Sequence, residues 1–144
     1  MSYIGFVFFL LFCTCYLWNG KDFFNRRDWL VFLLKFIGVF IVTILFGFTL
    51  KGIMHLWIGI SLTVAKHLTT AFGASLTSVL GMKFLVVMLS AIFRKIMGFH
   101  ENHNVENFDR LSVITNKFAP TLLILAKFVV TCGSVLIFYG IWLA

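Results

Sequence analysis

The stretch that decides the fold is Leu68 to Phe93, which reads LTTAFGASLTSVLGMKFLVVMLSAIF. It is 26 residues long and contains one charged side chain, Lys83. A run of about 20 apolar residues is long enough to cross the hydrocarbon core of a bilayer as a helix. Because no period-2 alternation runs through it, the stretch predicts a membrane-spanning helix rather than a strand.

Three further apolar runs have the same character, at residues 3–18, 29–50 and 118–143. Over the whole chain 61% of the residues are hydrophobic and 12% are charged. Soluble proteins average roughly 45–50% and 25%, so the composition argues against a cytosolic enzyme, a secreted disulfide scaffold or a disordered tail. We therefore expect an all-α polytopic membrane protein, residues 1–144 forming one domain with four transmembrane helices at 3–18, 29–50, 68–93 and 118–143.

Residues 51–67, between the second and third spans, are predicted to form a separate amphipathic helix. On a helical wheel Lys51, His55 and Lys66 fall on one face, and apolar residues occupy the rest. We expect this helix to lie in the membrane interface, with Trp57 as its anchor. The alternative is a re-entrant helix whose Lys/His face lines a cavity.

The segment 94–117, between the third and fourth spans, is predicted to be a cytoplasmic loop. Its first two residues, Arg94 and Lys95, are expected to contact lipid phosphates. A short surface helix is possible in its second half, and Pro120 is expected in the first turn of the fourth helix, where proline is tolerated.

The positions of the basic residues predict an orientation. Loops 19–28 and 94–117 together carry seven Lys and Arg residues, whereas the other side carries Lys51 and Lys66. Basic loops remain in the cytoplasm, so we expect both termini outside it, in a bacterial inner membrane or alternatively a mitochondrial inner membrane. The net charge of +7 is thus read as topology and as attraction to anionic lipids, not as nucleic-acid binding.

The acidic residues and histidines argue against catalysis and metal binding. All five carboxylates lie in predicted loops, whereas ion-coupled carriers need an ionisable acid within the membrane. The histidines of His100-Glu101-Asn102-His103 are three residues apart, not the four of a zinc protease helix. We therefore assign no catalytic residue and no metal ligand, and expect a protein that is not an enzyme.

Three lysines lie inside the predicted spans, and all three fall in the same half of the bilayer. Lys35, Lys83 and Lys127 are roughly 10–17 Å from the nearest cytoplasmic boundary at about 1.5 Å per residue. One interpretation is that their long side chains reach back to the lipid headgroups. The other is that Lys83 and Lys127 meet a carboxylate of another chain or a lipid headgroup, because no acid of this chain lies in a predicted span.

Small residues recur every four positions in the third span and every seven in the fourth. Such faces let a second helix backbone approach closely, either within the four-helix bundle or from another chain. They consist of Gly73, Thr77 and Gly81 in the third span and Ala126, Gly133 and Gly140 in the fourth.

His55 opens the sequence His-Leu-Trp-Ile-Gly, residues 55–59, which resembles the stretch around the haem-ligating histidine in the membrane-anchor subunits of succinate dehydrogenase. The resemblance covers five residues and implies a haem b ligand at His55. In that family an Asp-Tyr pair serving the quinone site follows about a dozen positions later, where this chain has Lys66-His67. Haem is therefore an alternative, and the main expectation is that there is no cofactor.

These observations favour a non-enzymatic inner-membrane protein that acts by lateral helix contacts, as a subunit or accessory of a larger hetero- or homo-oligomeric complex of the secretion, respiratory or immunity and exclusion type. One alternative is a homo-oligomeric pore that favours anions, lined by the Lys/His face. The other is a haem- or quinone-binding membrane anchor. The residues expected to bind a partner are Lys83, Lys127, Gly73, Thr77, Gly81, Ala126, Gly133 and Gly140, and those expected at the lipid interface are Lys51, Trp57, Lys66, Arg94 and Lys95.

Overall fold

The computed structural model describes residues 2–56, 61–103 and 105–144, with side chains described for 2–54, 61–96 and 119–144. Within these ranges the secondary structure is helical, without strands, and forms four helices. Each contains a segment long and apolar enough to cross a membrane, so the prediction of four such helices is confirmed. They are α1 (Ser2–Asn19), α2 (Arg26–Leu56), α3 (Leu62–His103) and α4 (Val105–Trp142).

Short polar side chains cap the N-terminal ends of α2 and α3. The backbone N–H of Asn25, just before α2, donates to Asp28 Oδ2 at 3.0 Å, so a carboxylate in the first turn caps the helix. Ser61 precedes α3, and its Oγ accepts the N–H of Val64 at 3.3 Å. In both helices a polar side chain in or just before the first turn therefore accepts an N–H group that lacks a helical partner.

The predicted amphipathic helix at 51–67 is not a separate element in its described parts. Residues 51–56 are the end of α2, and residues 62–67 are the beginning of α3. The middle of the segment, including Trp57, lies outside the described residues. The apolar pattern of α2 continues past Lys51 through Ile53 and Met54 without a proline, so the helix has no reason to stop at Leu50.

The segment 94–117 is helical where it is described, over more of its length than the short surface helix considered for its second half. α3 continues to His103 and α4 begins at Val105. Arg, Lys, Met and Leu are good helix formers, which lets a helix extend past the end of its apolar run. Pro120 consequently lies inside α4 rather than in its first turn. There it lacks the N–H that would bond the carbonyl four residues earlier.

Three of the helices, α1, α3 and α4, pack against one another and form the three-helix core. Phe9, Cys13 and Leu17 follow each other at four-residue spacing and make one buried face of α1. The Phe9 ring stacks on that of Trp142 at 5.8 Å between centroids, and Trp142 Nε1 donates to the buried Ser75 Oγ at 2.8 Å. This cluster joins all three helices.

The remaining helix, α2, packs only against α3 among the described residues. The seam is built from two reciprocal glycine and threonine pairs. A Cβ on Gly73 would lie 2.6 Å from Thr43 Cγ2, and one on Gly47 would lie 3.1 Å from Thr69 Cγ2. Since both pairs are four residues apart on each helix, the two backbones approach closely along one line.

Candidate functional site

The most unusual feature of the structure is a cluster of charges at the end of the bundle where α1 connects to α2. Lys83 of α3 is 1% exposed and Lys127 of α4 is 7% exposed, and both turn toward Asp22 in the α1–α2 connection. Lys127 Nζ donates to Asp22 Oδ2 at 2.8 Å, and Lys83 Nζ lies 3.5 Å from Oδ1. We call Asp22, Lys83 and Lys127 the lysine–aspartate cluster.

Gly20 allows the connection to approach the cluster so closely. A Cβ on this residue would lie 2.7 Å from the carbonyl oxygen of Tyr16 and 2.9 Å from Lys83 Nζ. Any other residue would have to displace the lysine or the backbone. The backbone therefore passes directly over Lys83 after the end of α1. Two residues after Gly20, the Asp22 carboxylate contacts the ammonium groups of Lys83 and Lys127.

The cluster stabilises charges that would otherwise be expensive to bury. Each oxygen of the carboxylate faces one lysine, and an ion pair with good geometry offsets much of the desolvation penalty. Two lysines share one aspartate, so the cluster carries one net positive charge. Lys127 also lies 6.0 Å from the centre of the Trp18 ring, where the electron-rich face adds to its stabilisation.

This arrangement corrects the expectation that Lys83 and Lys127 find their carboxylate outside the chain. Asp22 lies in the predicted loop 19–28, and this loop folds back over the end of the bundle. Two signals in the sequence could have indicated it: the three lysines share one predicted depth, and a glycine stands two residues before an aspartate at the end of a short span.

Lys35 of α2 belongs to the same end of the bundle but has a different partner. Its Nζ donates to the Tyr16 hydroxyl at 3.3 Å and lies 5.3 Å from the centre of that ring. No carboxylate of the described residues lies within ion-pair distance of it. Lys35 is exposed, whereas Lys83 and Lys127 are buried. This hydrogen bond bridges α1 and α2, whose described backbones do not pack together.

Because the described backbones of α1 and α2 do not pack together, a groove lies between them over α3, and we call it the α1–α2 groove. Its polar end is a cavity of about 220 Å³, lined by Lys35, Lys83 and Lys21 and by one carboxylate, Asp28. Its apolar part is a cavity of about 440 Å³. Tyr16 and Lys35 line both cavities, so the two adjoin each other at the hydrogen bond between these side chains. The other residues along the apolar part are Phe12, Gly38, Val39, Val42, Phe72, Leu76, Val79 and Leu80.

The small residues predicted to bind a partner divide into two groups. Gly73 packs against Thr43 of α2, so it serves the seam within the chain. Gly81, Gly133 and Gly140 have no atom of another described element within 4 Å of the position of a Cβ. Thr77 and Ala126, on the same faces, are half-buried. The sequence did not single out Gly47, the second glycine of the seam.

The residues predicted to lie at the lipid interface occupy both ends of the bundle. Lys51 and Lys66 are exposed and line a common cavity of about 480 Å³ between α2 and α3. Arg94 and Lys95 are exposed on α3, and the Arg94 guanidinium lies 4.4 Å from the centre of the Phe23 ring.

Trp57 and the side chain of His55 lie outside the described residues. The haem alternative rests on that side chain, and the anion-favouring pore on His55 together with Lys51 and Lys66.

Comparison of the chain with protein-family models, curated proteins and solved structures finds no match.

Proposed function

We propose that this chain is a non-enzymatic membrane protein that acts by lateral contacts of its helices, as a subunit or accessory of a larger membrane assembly. Its surface supports insertion into a bilayer. Leu34, Phe40 and Phe48 of α2 are each 59–68% exposed, and apolar side chains surround that helix. An apolar helix with so little protein cover is stable where lipid chains replace water.

The observation that carries the docking role is the set of open glycines on α3 and α4. α3 and α4 are antiparallel: Ser75 contacts Trp142 at one end, and Lys83 and Lys127 share Asp22 at the other. Gly81 and Gly133 both lie between these two contacts and therefore at similar depth. Neither glycine meets another described element, although glycine lowers helix stability by about 1 kcal/mol relative to alanine. A helix from another chain could approach these backbones closely, since small residues drive association in lipid.

The charged residues take a smaller part in this role than the sequence suggested. Lys83 and Lys127 are occupied by Asp22, so the proposed docking face is Gly81, Gly133 and Gly140 with Thr77 and Ala126 beside them. For the orientation we keep both termini outside the cytoplasm, in a bacterial inner membrane, as the charge distribution favours.

The test compares glycine variants of a tagged chain in its own membrane. Gly81→Leu and Gly133→Leu place a branched side chain on the proposed face, and Gly52→Leu is the matched control. Gly52 also has open space around its Cβ position, but it lies on α2. After mild detergent extraction, we expect wild type and the Gly52 variant to migrate as a complex well above the monomer, and the two face variants to migrate as monomers.

Two results would contradict the docking role. The first is a wild-type chain that migrates as a monomer in every mild detergent that preserves other complexes of the same membrane. The second is equal loss of the complex in the Gly52 and Gly133 variants, because it would show a general effect of leucine on the bundle.

A further inference from the structure

We propose that the α1–α2 groove binds one anionic phospholipid, with the headgroup phosphate at Lys35 and the Tyr16 hydroxyl and one acyl chain along the apolar part of the groove. The proposal rests on the membrane insertion proposed above but not on docking to another chain. It concerns a specific site between helices rather than the general attraction of a basic surface to lipid.

The charge at the polar end of the groove is complementary to a phosphate. Three lysines, Lys21, Lys35 and Lys83, line the polar cavity together with one carboxylate, Asp28, and Lys83 is also paired with Asp22 beside it. Asp28 is occupied, because it pairs with Lys21 at 3.4 Å and caps α2. The carboxylates therefore leave Lys35 available to an anion.

Lys35 is suited to bind that anion. Its only described polar partner is the neutral Tyr16 hydroxyl. Since an ammonium group has three N–H donors, two of them remain for a phosphate. A charge-assisted hydrogen bond to phosphate is stronger than one to a neutral hydroxyl. The Tyr16 hydroxyl keeps its own proton and can donate it to a second phosphate oxygen.

The shape of the groove favours a lipid over a small soluble anion. The cavity beyond Lys35 is twice the volume of the polar one and is walled by side chains such as Val39, Val42 and Leu76. It extends about 10 Å along α2 from Lys35 to Val42, at 1.5 Å per residue. A hydrated ion gains nothing from such walls, whereas an acyl chain buries its methylene groups there.

The depth of the polar end also fits a headgroup. Lys35 is nine residues into α2, about 13 Å from Arg26 at the helix start, and its side chain reaches part of that distance. The groove opens sideways because α1 and α2 do not pack together, so a lipid can enter from the bilayer. Basic pockets between helices on the cytoplasmic side are typical sites for the headgroups of anionic lipids.

The test measures lipid retention on the monomeric chain by native mass spectrometry. The purified protein is delipidated and offered phosphatidylglycerol or phosphatidylcholine with identical acyl chains. We expect one phosphatidylglycerol to stay bound at collision energies that remove phosphatidylcholine. Lys35→Gln should weaken phosphatidylglycerol retention roughly tenfold, since a hydrogen bond to a charged group is lost. Lys51→Gln, which removes an exposed lysine at the other end of α2, should leave it unchanged.

A second pair of variants tests the acyl-chain part of the site without touching a charge. Gly38 lines the groove and has open space at its Cβ position, so Gly38→Phe fills the groove with little risk to folding. Gly52→Phe is the control on the same helix outside the groove. We expect phosphatidylglycerol binding to fall only in the Gly38 variant, with helicity and elution volume as in wild type.

The proposal is overturned if phosphatidylcholine is retained as strongly as phosphatidylglycerol, because the lipid is then an unselective boundary lipid. It is also overturned if the Lys35 variant keeps wild-type selectivity, or if Gly38→Phe and Gly52→Phe behave alike. Since the readout is the monomer, these results are independent of whether the chain docks into a complex.

Discussion

α1 and α2 are both apolar helices, but they are held in opposite ways. α1 lies between α3 and α4, buries one face of Phe9, Cys13 and Leu17, and leads into a connection that is pinned by two ion pairs. Among the described residues the backbone of α2 packs against α3, along the seam of Gly47 and Gly73. The difference shows that hydropathy alone does not reveal which helix belongs to the core. Four variants can break or sharpen this contrast.

The largest effect is expected from Asp22→Asn, which leaves two buried lysines without a counter-charge. Removing one partner of a buried ion pair costs about 3–5 kcal/mol, and the 20% exposure of the Asp22 side chain places the loss toward the lower value. Reversible unfolding in mixed micelles measures it. The control is Lys21→Gln, which removes a 75% exposed partner of Asp28 and should change little. An Asp22 variant as stable as the Lys21 variant would contradict a structural role for the cluster.

The seam of α2 should be next in sensitivity. Gly73→Ala places a Cβ 2.6 Å from Thr43 Cγ2, and overpacking of this kind costs about 1–3 kcal/mol. Combining it with Thr43→Ala removes the opposing atoms and should restore most of the loss, as the same unfolding assay would show. Gly81→Ala, on the same helix but with open space, should be neutral or slightly stabilising. If Gly73→Ala and Gly81→Ala destabilised the protein equally, Gly73 would not face Thr43, and α2 would pack on a different face of α3.

Within the three-helix core, a single hydroxyl can be tested. Ser75→Ala removes the acceptor of the Trp142 indole N–H and should cost about 1–2 kcal/mol, because a buried donor is left without a partner. Ser90→Ala is the matched control. Ser90 is also buried, but its Oγ bonds the Val86 carbonyl of its own helix at 3.0 Å, so its loss should be nearly neutral. Indole fluorescence of Trp142, read in a variant lacking the other tryptophans, should shift only for Ser75.

The smallest effect on stability is expected from Lys35→Gln. The lysine is exposed and bonds a neutral hydroxyl, so the change should stay within about 0.5 kcal/mol. This small value would separate Lys35 from the lysines of the cluster, which share its predicted depth. A loss comparable with that of the Asp22 variant would instead show that the bridge to Tyr16 holds α2 in place.

The sequence predicted the four helices and their apolar cores because long apolar runs are detectable without tertiary structure. It did not predict the helix ends. The fall in hydropathy after Phe93 marks the end of the long apolar run, whereas the helix continues to His103 because the polar residues that follow do not interrupt it with a proline. The same difference explains why the beginning of the predicted amphipathic segment belongs to α2 and its end to α3.

The site was predicted only in part. The depth of the three lysines was visible from their distances to the span ends, but their partner depends on the path of a short loop. Whether Asp22 points to water or back to the bundle is decided by the backbone at Gly20 and by the position of Lys127, 105 residues later. Spacing along one helix cannot give that information. The groove was also not predicted, because it depends on how the described parts of α1 and α2 are placed on α3 without packing against each other.

The ion pair between Asp22 and Lys127 also sets an order of events during synthesis. At about 5–20 residues per second, roughly 5–20 s pass between the two residues, since 105 positions separate them. Lys83 is made earlier, 61 positions after Asp22, so the connection between the first two helices can be tied to α3 before α4 exists. Synthesis of α4 therefore completes the pairing of Asp22. A chain that stops before Lys127 would hold the α1–α2 connection by the ion pair with Lys83 and lack the second one.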